Sequence, residues 1–271
     1  MSSDQYYRAE GARLRYRDEG AGPAIVLLHG WTLDLDMWNP QTDGLQRHYR
    51  LIRLDRRGFG LSSGYPDLRQ DVVDVIALCA HLNARPVGCV GMSQGARVAL
   101  LLAQLEPCWL RCLVLDGPPD VRAGTDSRQD DLDHTGFRAL AQTEGLQAFR
   151  HEWARHPLTA LETGDPGAHQ LLERMIARYP GWDLLSTPDT QAHSARDLQP
   201  EAITHPGLVL NGELDTLARL RAGEALARSL SRCERVTVPL ARHLPNLDNP
   251  SAYNSILLHF LCRHLAHRSQ Q

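Results

Sequence analysis

Lysine is missing altogether: all 29 basic residues of this 271-residue chain are arginines. That excludes every mechanism built on a lysine amine, including Schiff-base chemistry, pyridoxal phosphate attachment and the lysine of a phosphate-binding P-loop. Clustered positive charge is lacking too. The arginines are scattered and the net charge is −3, so no electrostatic footprint for nucleic acid is visible and no such partner is expected. Cysteines are few. Cys79, Cys89, Cys108, Cys112, Cys233 and Cys262 mostly lie inside apolar runs without paired metal-type spacing, and read as free thiols of a reducing compartment. No apolar run approaches the length of a membrane span, and Met1-Ser2-Ser3-Asp4-Gln5-Tyr6-Tyr7 lacks the apolar core of a signal peptide. The expectation is a soluble cytoplasmic protein, monomer or homodimer, that meets a small-molecule substrate and no membrane.

What is present is a hydrophobic share of 42%, enough to bury a full core in one large α/β domain with or without an insertion. The chain centres on Val87-Gly88-Cys89-Val90-Gly91-Met92-Ser93-Gln94-Gly95-Ala96-Arg97-Val98-Ala99-Leu100. A short apolar run ends at Gly91, and the period then turns from strand-like to helix-like, with Val98, Leu101, Leu102 and Leu105 on one face. Ser93 sits at the joint, between two glycines at the positions where side chains would collide if a strand turned abruptly into a helix. This is the G-x-S-x-G nucleophile elbow; the alternative is a strand-to-helix turn whose serine caps the helix.

Around this stretch strand and helix signals alternate. Strands are expected at residues 13–18, 24–28, 50–54, 110–115, 207–210 and 235–238, and helices up to about Tyr49, at 68–82, at 217–230 and at 250–264. Such alternation predicts an α/β fold: a mostly parallel central sheet covered by helices on both faces. Between about Gly117 and His205 the pattern breaks into helical periodicity, at 137–153 and 171–179, with many prolines and no convincing strand. The expected organisation is a core of residues 1–119 and 205–271 with a helical cap insertion at 120–204. Ser269-Gln270-Gln271 reads as a frayed tail.

Five features resemble the α/β-hydrolase fold, in its order. They are His29-Gly30 after an early strand, Asp55-Arg56-Arg57-Gly58-Phe59-Gly60-Leu61-Ser62 after the next, the elbow at Ser93, Gly212-Glu213-Leu214-Asp215 after a late strand, and His243 ahead of Leu244-Pro245-Asn246. A serine hydroxyl needs an adjacent base, itself oriented by a carboxylate. Ser93, Asp215 and His243 follow the order nucleophile, acid, histidine that the resemblance implies. Asp215 could instead be a helix-capping aspartate, and Asp116, at the end of the strand 110–115, is a competing acid. The resemblance further implies an oxyanion hole from the backbone N–H groups of Trp31 and Gln94, with His29 bracing that loop. A substrate pocket is expected between the oxyanion loop and the insertion, with His29, Trp38, Trp153 and Trp182 as candidate lining.

Two near-misses are discounted. In His151-Glu152-Trp153-Ala154-Arg155-His156 the histidines are five apart and point roughly 140° away from each other on a helix, unlike an i, i+4 zinc pair. Gly58-Phe59-Gly60-Leu61-Ser62-Ser63 lacks the third glycine of a dinucleotide loop. No metal and no cofactor is expected. The reading is a serine hydrolase, esterase- or lactonase-like, cleaving an ester, lactone or related acyl bond of a small, hydrophobic substrate through an acyl-enzyme. Two alternatives stay open: a cofactor-independent dioxygenase of an N-heteroaromatic ring, which would use the acid at Asp116, and a slow-turnover sensor on the same scaffold. Dehalogenase and epoxide hydrolase chemistry are disfavoured, since they place a carboxylate where this chain has Ser93.

Overall fold

The structure, a computed structural model, describes residues 3–121, 132–186 and 198–265; the expected tail at 269–271 lies outside them. Eight strands form one sheet: β1 (Gln5–Ala9), β2 (Ala12–Glu19), β3 (Ala24–Leu28), β4 (Arg50–Leu54), β5 (Val87–Met92), β6 (Leu110–Asp116), β7 (Gly207–Gly212) and β8 (Cys233–Val238). Their order is β1-β2-β4-β3-β5-β6-β7-β8, antiparallel for the first two neighbours and parallel from there on. The helices are α1 (Asn39–Leu45), α2 (Leu68–His81), α3 (Gln94–Leu105), α4 (His134–Thr143), α5 (Leu146–Trp153), α6 (Pro166–Arg178), α7 (Trp182–Leu185), α8 (Leu217–Ser229), α9 (Pro245–Asp248) and α10 (Pro250–Leu265).

The strand residues alternate between two apolar layers, as the two-residue side-chain period of a strand requires. Ile25, Leu27, Val90 and Val114 join the layer covered by α1 and α10, whereas Val26, Leu28, Cys89 and Leu113 join the layer covered by α2, α3 and α8. Continuous apolar runs such as Ala24–Leu28 are therefore buried on both sides. Each such aliphatic side chain contributes roughly 1.5–3 kcal/mol of burial, so a charge placed at Val90 would disrupt a fully buried position. No helix among the described residues is long and apolar enough to cross a membrane.

Three expectations change. β1 was not foreseen; it is an antiparallel edge ribbon with an exposed, irregular burial pattern. The helix expected to reach Tyr49 is a 3-10 turn at Leu35–Trp38 followed by α1. The helix expected at 137–153 is two helices, because Gly145, at φ +93°, adopts a conformation no helix contains.

Candidate active site

The elbow is built by exclusion of volume. A Cβ on Gly91 would overlap the backbone of Gly95, and one on Gly95 would overlap the Leu28 and His29 carbonyls, so only glycine lets β5 turn this tightly into α3. Ser93 is held at φ +50°, ψ −113°, a conformation that costs of order 1–3 kcal/mol for a residue with a side chain. Its N–H donates to the Asp116 carbonyl at 2.7 Å. Its side chain makes no capping hydrogen bond to α3, so the serine does not serve as the helix cap.

In-register parallel strands bring the other loops to the same edge. Leu28 lies opposite Gly91, Met92 opposite Asp116, and Asp116 opposite Leu210. Asp215 follows β7 and His243 follows β8, and their loops pack so closely that a Cβ on Gly212 would overlap the Ala241 and Arg242 carbonyls. His243 Nδ1 lies 3.1 and 3.2 Å from the two Asp215 carboxylate oxygens. Asp215 Oδ1 also accepts from the Thr216 N–H (2.8 Å), and Oδ2 from Asn211 Nδ2 (3.3 Å), so the acid is held from its own loop and from β7. Both His243 and Asp215 are buried.

The competing acid stands apart. Asp116 Oδ2 accepts from the Tyr253 hydroxyl at 3.0 Å. Burial, reinforced by the neighbouring Asp215 charge, pushes the Asp116 carboxyl well above the usual carboxylate range despite that bond.

Ser93 and His243 line one cleft with Gly30, Trp31, Met92 and Leu244. The cleft has a volume of about 20 Å³, and an adjoining one of about 30 Å³ shares Trp31, Ser93, Leu132 and Arg219 and adds Gln94. Gln94 is the first residue of α3, so its N–H belongs to the helix-terminal set without an intrahelical acceptor. The loop after β3 that carries Trp31 is braced by Arg56, whose buried guanidinium donates to the His29 carbonyl (3.1 Å), the Gly30 carbonyl (3.3 Å), Gln94 Oε1 (2.6 Å) and Asp71 (2.9 Å). His29 does not line the cleft. It is fully buried, with Nε2 accepting from the Arg56 N–H (2.9 Å) and Nδ1–H donating to the Gly30 carbonyl (2.7 Å). Burial, with the Arg56 charge beside it, keeps its pKa well below the ordinary histidine value, so both ring nitrogens are committed and neutral.

The tryptophans divide. Trp153 lines the cleft, buried, donating from Nε1 to Thr32 Oγ1 at 2.7 Å. Trp38 is in the core against Tyr253 and does not reach the cleft. Trp182 is 50% exposed and is not part of the lining; a large apolar ring in a predicted insertion gives no sequence signal to separate a pocket wall from solvent.

Sequence reasoning missed several lining residues. Leu158 and Thr159 come from the turn after α5, and Leu132 precedes α4. Arg219, buried at 2% exposure, brings a guanidinium to the wall; its place four residues after Asp215, one turn into α8, was the available clue. Also missed were the ties that hold the loops together. Gln41 Nε2 donates to the Asn246 carbonyl (2.9 Å) and Asn246 Nδ2 to the Met37 carbonyl (2.8 Å), joining the histidine loop to the loop after β3. Asp248 accepts from the N–H groups of Arg242 (2.7 Å) and Glu162 (2.7 Å), joining the histidine loop to the segment before α6.

A doubly covered parallel sheet with a strained serine elbow and a histidine set on a carboxylate at one edge defines a class, and the comparisons with known proteins agree with it. The chain belongs to the alpha/beta hydrolase fold family, whose pattern matches residues 23–250, and is an enzyme of that family. A non-heme haloperoxidase of Rhodococcus erythropolis is 31% identical over 273 residues, covering 93% of this chain and 97% of its own. A pimeloyl-(acyl-carrier protein) methyl ester esterase of Nitrosospira multiformis is 26% identical over 258 residues, covering 89% and 95% respectively. Among solved structures, a thermophilic esterase from Thermogutta terrifontis, with malate bound, superposes with a TM-score of 0.81 at 26% identity, covering 98% of this chain and 100% of that one.

Proposed function

We propose that this hydrolase is a serine esterase acting on an ester, lactone or related acyl bond of a small substrate through an acyl-enzyme. The observation that carries the reading is His243 set on Asp215 in one cleft with the strained Ser93. In the first half-reaction Ser93 Oγ attacks the acyl carbonyl as His243 Nε2 takes its proton, and Asp215 stabilises the imidazolium formed. The N–H groups of Trp31 and Gln94 hold the oxyanion. Collapse expels the alkoxide, protonated by His243, and leaves the acyl group on Ser93. Water, deprotonated by His243, then releases the acid and restores the serine.

The helices α4 to α7, with Leu132 just before them, act as the cap. Leu132, Trp153 and Leu158 from it meet Leu33, Met92 and Leu244 from the core, so the wall is mainly apolar and favours a hydrophobic acyl group. The dioxygenase alternative needs the histidine to work with Asp116, and the engagement of Asp116 by Tyr253 and of His243 by Asp215 speaks against it.

A fluorophosphonate probe tests the reading. It should label the wild type on the peptide carrying Ser93, and Ser93→Ala should fold, escape labelling and lose several orders of magnitude in turnover across an ester and lactone panel. Near-normal turnover in that variant, or oxygen uptake in its place, would overturn the proposal.

A further inference from the structure

The strands that deliver their carboxyl ends to Ser93 send their amino ends to the opposite edge of the sheet. A separate cavity opens there, of about 650 Å³ against about 20 and 30 Å³ for the two adjoining clefts at Ser93. Its rim is formed where β3 to β8 begin, with Ala24, Arg50, Pro86, Arg111, Pro206 and Arg232 at or next to the six strand starts. Arg50, Arg85, Arg111, Arg232 and Arg263 converge on it, and no carboxylate is among the residues lining it. In a chain of net charge −3, arginines scattered along the sequence are thus gathered by the fold into one concave site.

Only part of that charge is compensated. Arg50 is clamped by Asp18 at 2.8 and 2.7 Å, and Arg263 pairs with Glu234 at 2.7 Å. Arg85 donates to Cys108 Sγ at 2.9 Å and lies 4.6 Å over the Trp109 ring. Among the described residues no carboxylate pairs with Arg85, Arg111 or Arg232. Guanidiniums converging without counter-charge repel one another, and a multivalent anion relieves that repulsion.

The arrangement selects the anion. Guanidinium forks match both phosphate and carboxylate oxygens. A carboxylate, however, is planar and is satisfied by one fork, whereas the tetrahedral oxygens of linked phosphates point in several directions and can be met by arginines on different sides of a rim. The cavity falls in the size range of cofactor sites, roughly 300–1,000 Å³, well above the need of one phosphate. Pro23, Ala24, Pro86 and Leu265 add an apolar wall for an uncharged portion. We propose that this cavity binds a small metabolite carrying a di- or triphosphate group, at a site separate from the Ser93 cleft and independent of the acyl chemistry.

Isothermal titration of the full chain with inorganic tripolyphosphate, ATP, GTP and citrate tests this. Saturable binding of tripolyphosphate or a nucleoside triphosphate at one site per chain is expected, with citrate at least about ten-fold weaker. ATP or GTP binding more tightly than tripolyphosphate would assign the apolar wall to a nucleoside; tighter tripolyphosphate would assign the site to the phosphate chain alone. The double variant R111A/R232A removes two exposed side chains and should weaken binding at least about ten-fold with an unchanged melting temperature. R111Q/R232Q, which keeps their bulk, should show the same loss, while Ser93→Ala should bind as the wild type does. No saturable binding up to about 1 mM ligand, affinity for citrate equal to that for tripolyphosphate, or affinity unaffected by both double variants would overturn the proposal.

Discussion

His243 Nδ1 faces both oxygens of Asp215, at 3.1 and 3.2 Å, while Asp116, one strand away, gives an oxygen to the Tyr253 hydroxyl instead. The two acids thus have different partners. Asp215→Asn should remove the charge that orients His243 and lower kcat/KM on an activated ester by roughly 10³–10⁴-fold. Asp116→Asn keeps the shape and an oxygen that can accept from the Tyr253 hydroxyl, and should leave turnover close to parental. Steady-state kinetics of the two variants decide it; the reverse ranking would transfer the orienting role to Asp116.

Trp153 and Trp182 should behave differently. Trp153 is a cleft wall and a hydrogen-bond donor to Thr32, so Trp153→Phe should alter the ranking of acyl chain lengths while labelling of Ser93 persists. Trp153→Ala should also destabilise the fold by about 3–5 kcal/mol. Trp182→Ala, at a half-exposed position outside the lining, should preserve the ranking. A series of p-nitrophenyl esters of increasing length, with melting curves, separates these outcomes.

His29 supplies a pH dependence. Its folded pKa lies well below the value near 6.5 that it regains on unfolding. Below that pH the unfolded chain therefore binds more protons than the folded one, so this contribution to stability is complete above about pH 6.5 and is lost as the pH falls. Buried Asp34, pushed up to about 7, and Asp71, pushed up to about 6, both chiefly by burial, act in the opposite sense. They are common to the wild type and to His29→Gln, so the difference between the two isolates the histidine. In urea unfolding, the stability advantage of the wild type over His29→Gln should shrink by about 1.4 kcal/mol per pH unit below about 6.5. A constant difference would show that His29 is not held neutral.

The elbow and the buried strands were legible because they follow from steric rules acting over a few residues: two glycines around a serine, and runs apolar on both faces. Ser93, His243 and Asp215 could each be found as a residue type in a loop after a strand. β1 was not legible, since its five mostly exposed residues carry no apolar alternation. Nor was the break at Gly145, where a single glycine interrupts an otherwise helical period. Trp38, Trp153 and Trp182 look alike in sequence, and only packing sends one to the core, one to the cleft and one to solvent. The arginine-rimmed cavity was invisible for a related reason: its members stand far apart in the chain and meet only because parallel strands start on a common edge.

Trp31 belongs to two parts of the molecule at once. It lines the cleft beside Ser93, and its indole Nε1 donates to Asp183 of α7 at 2.6 Å while its ring packs 4.9 Å from Trp153 and 5.9 Å from Tyr179. The two adjoining clefts at Ser93 hold about 20 and 30 Å³, so a substrate larger than a few waters presses on Trp31 and Trp153, which line this space. Such a displacement would be transmitted through the indole toward the Trp31 N–H, the proposed oxyanion donor. Bulky acyl groups would then be rejected less by weak attachment than by sluggish conversion once attached, and discrimination among substrates would be registered in kcat rather than in KM.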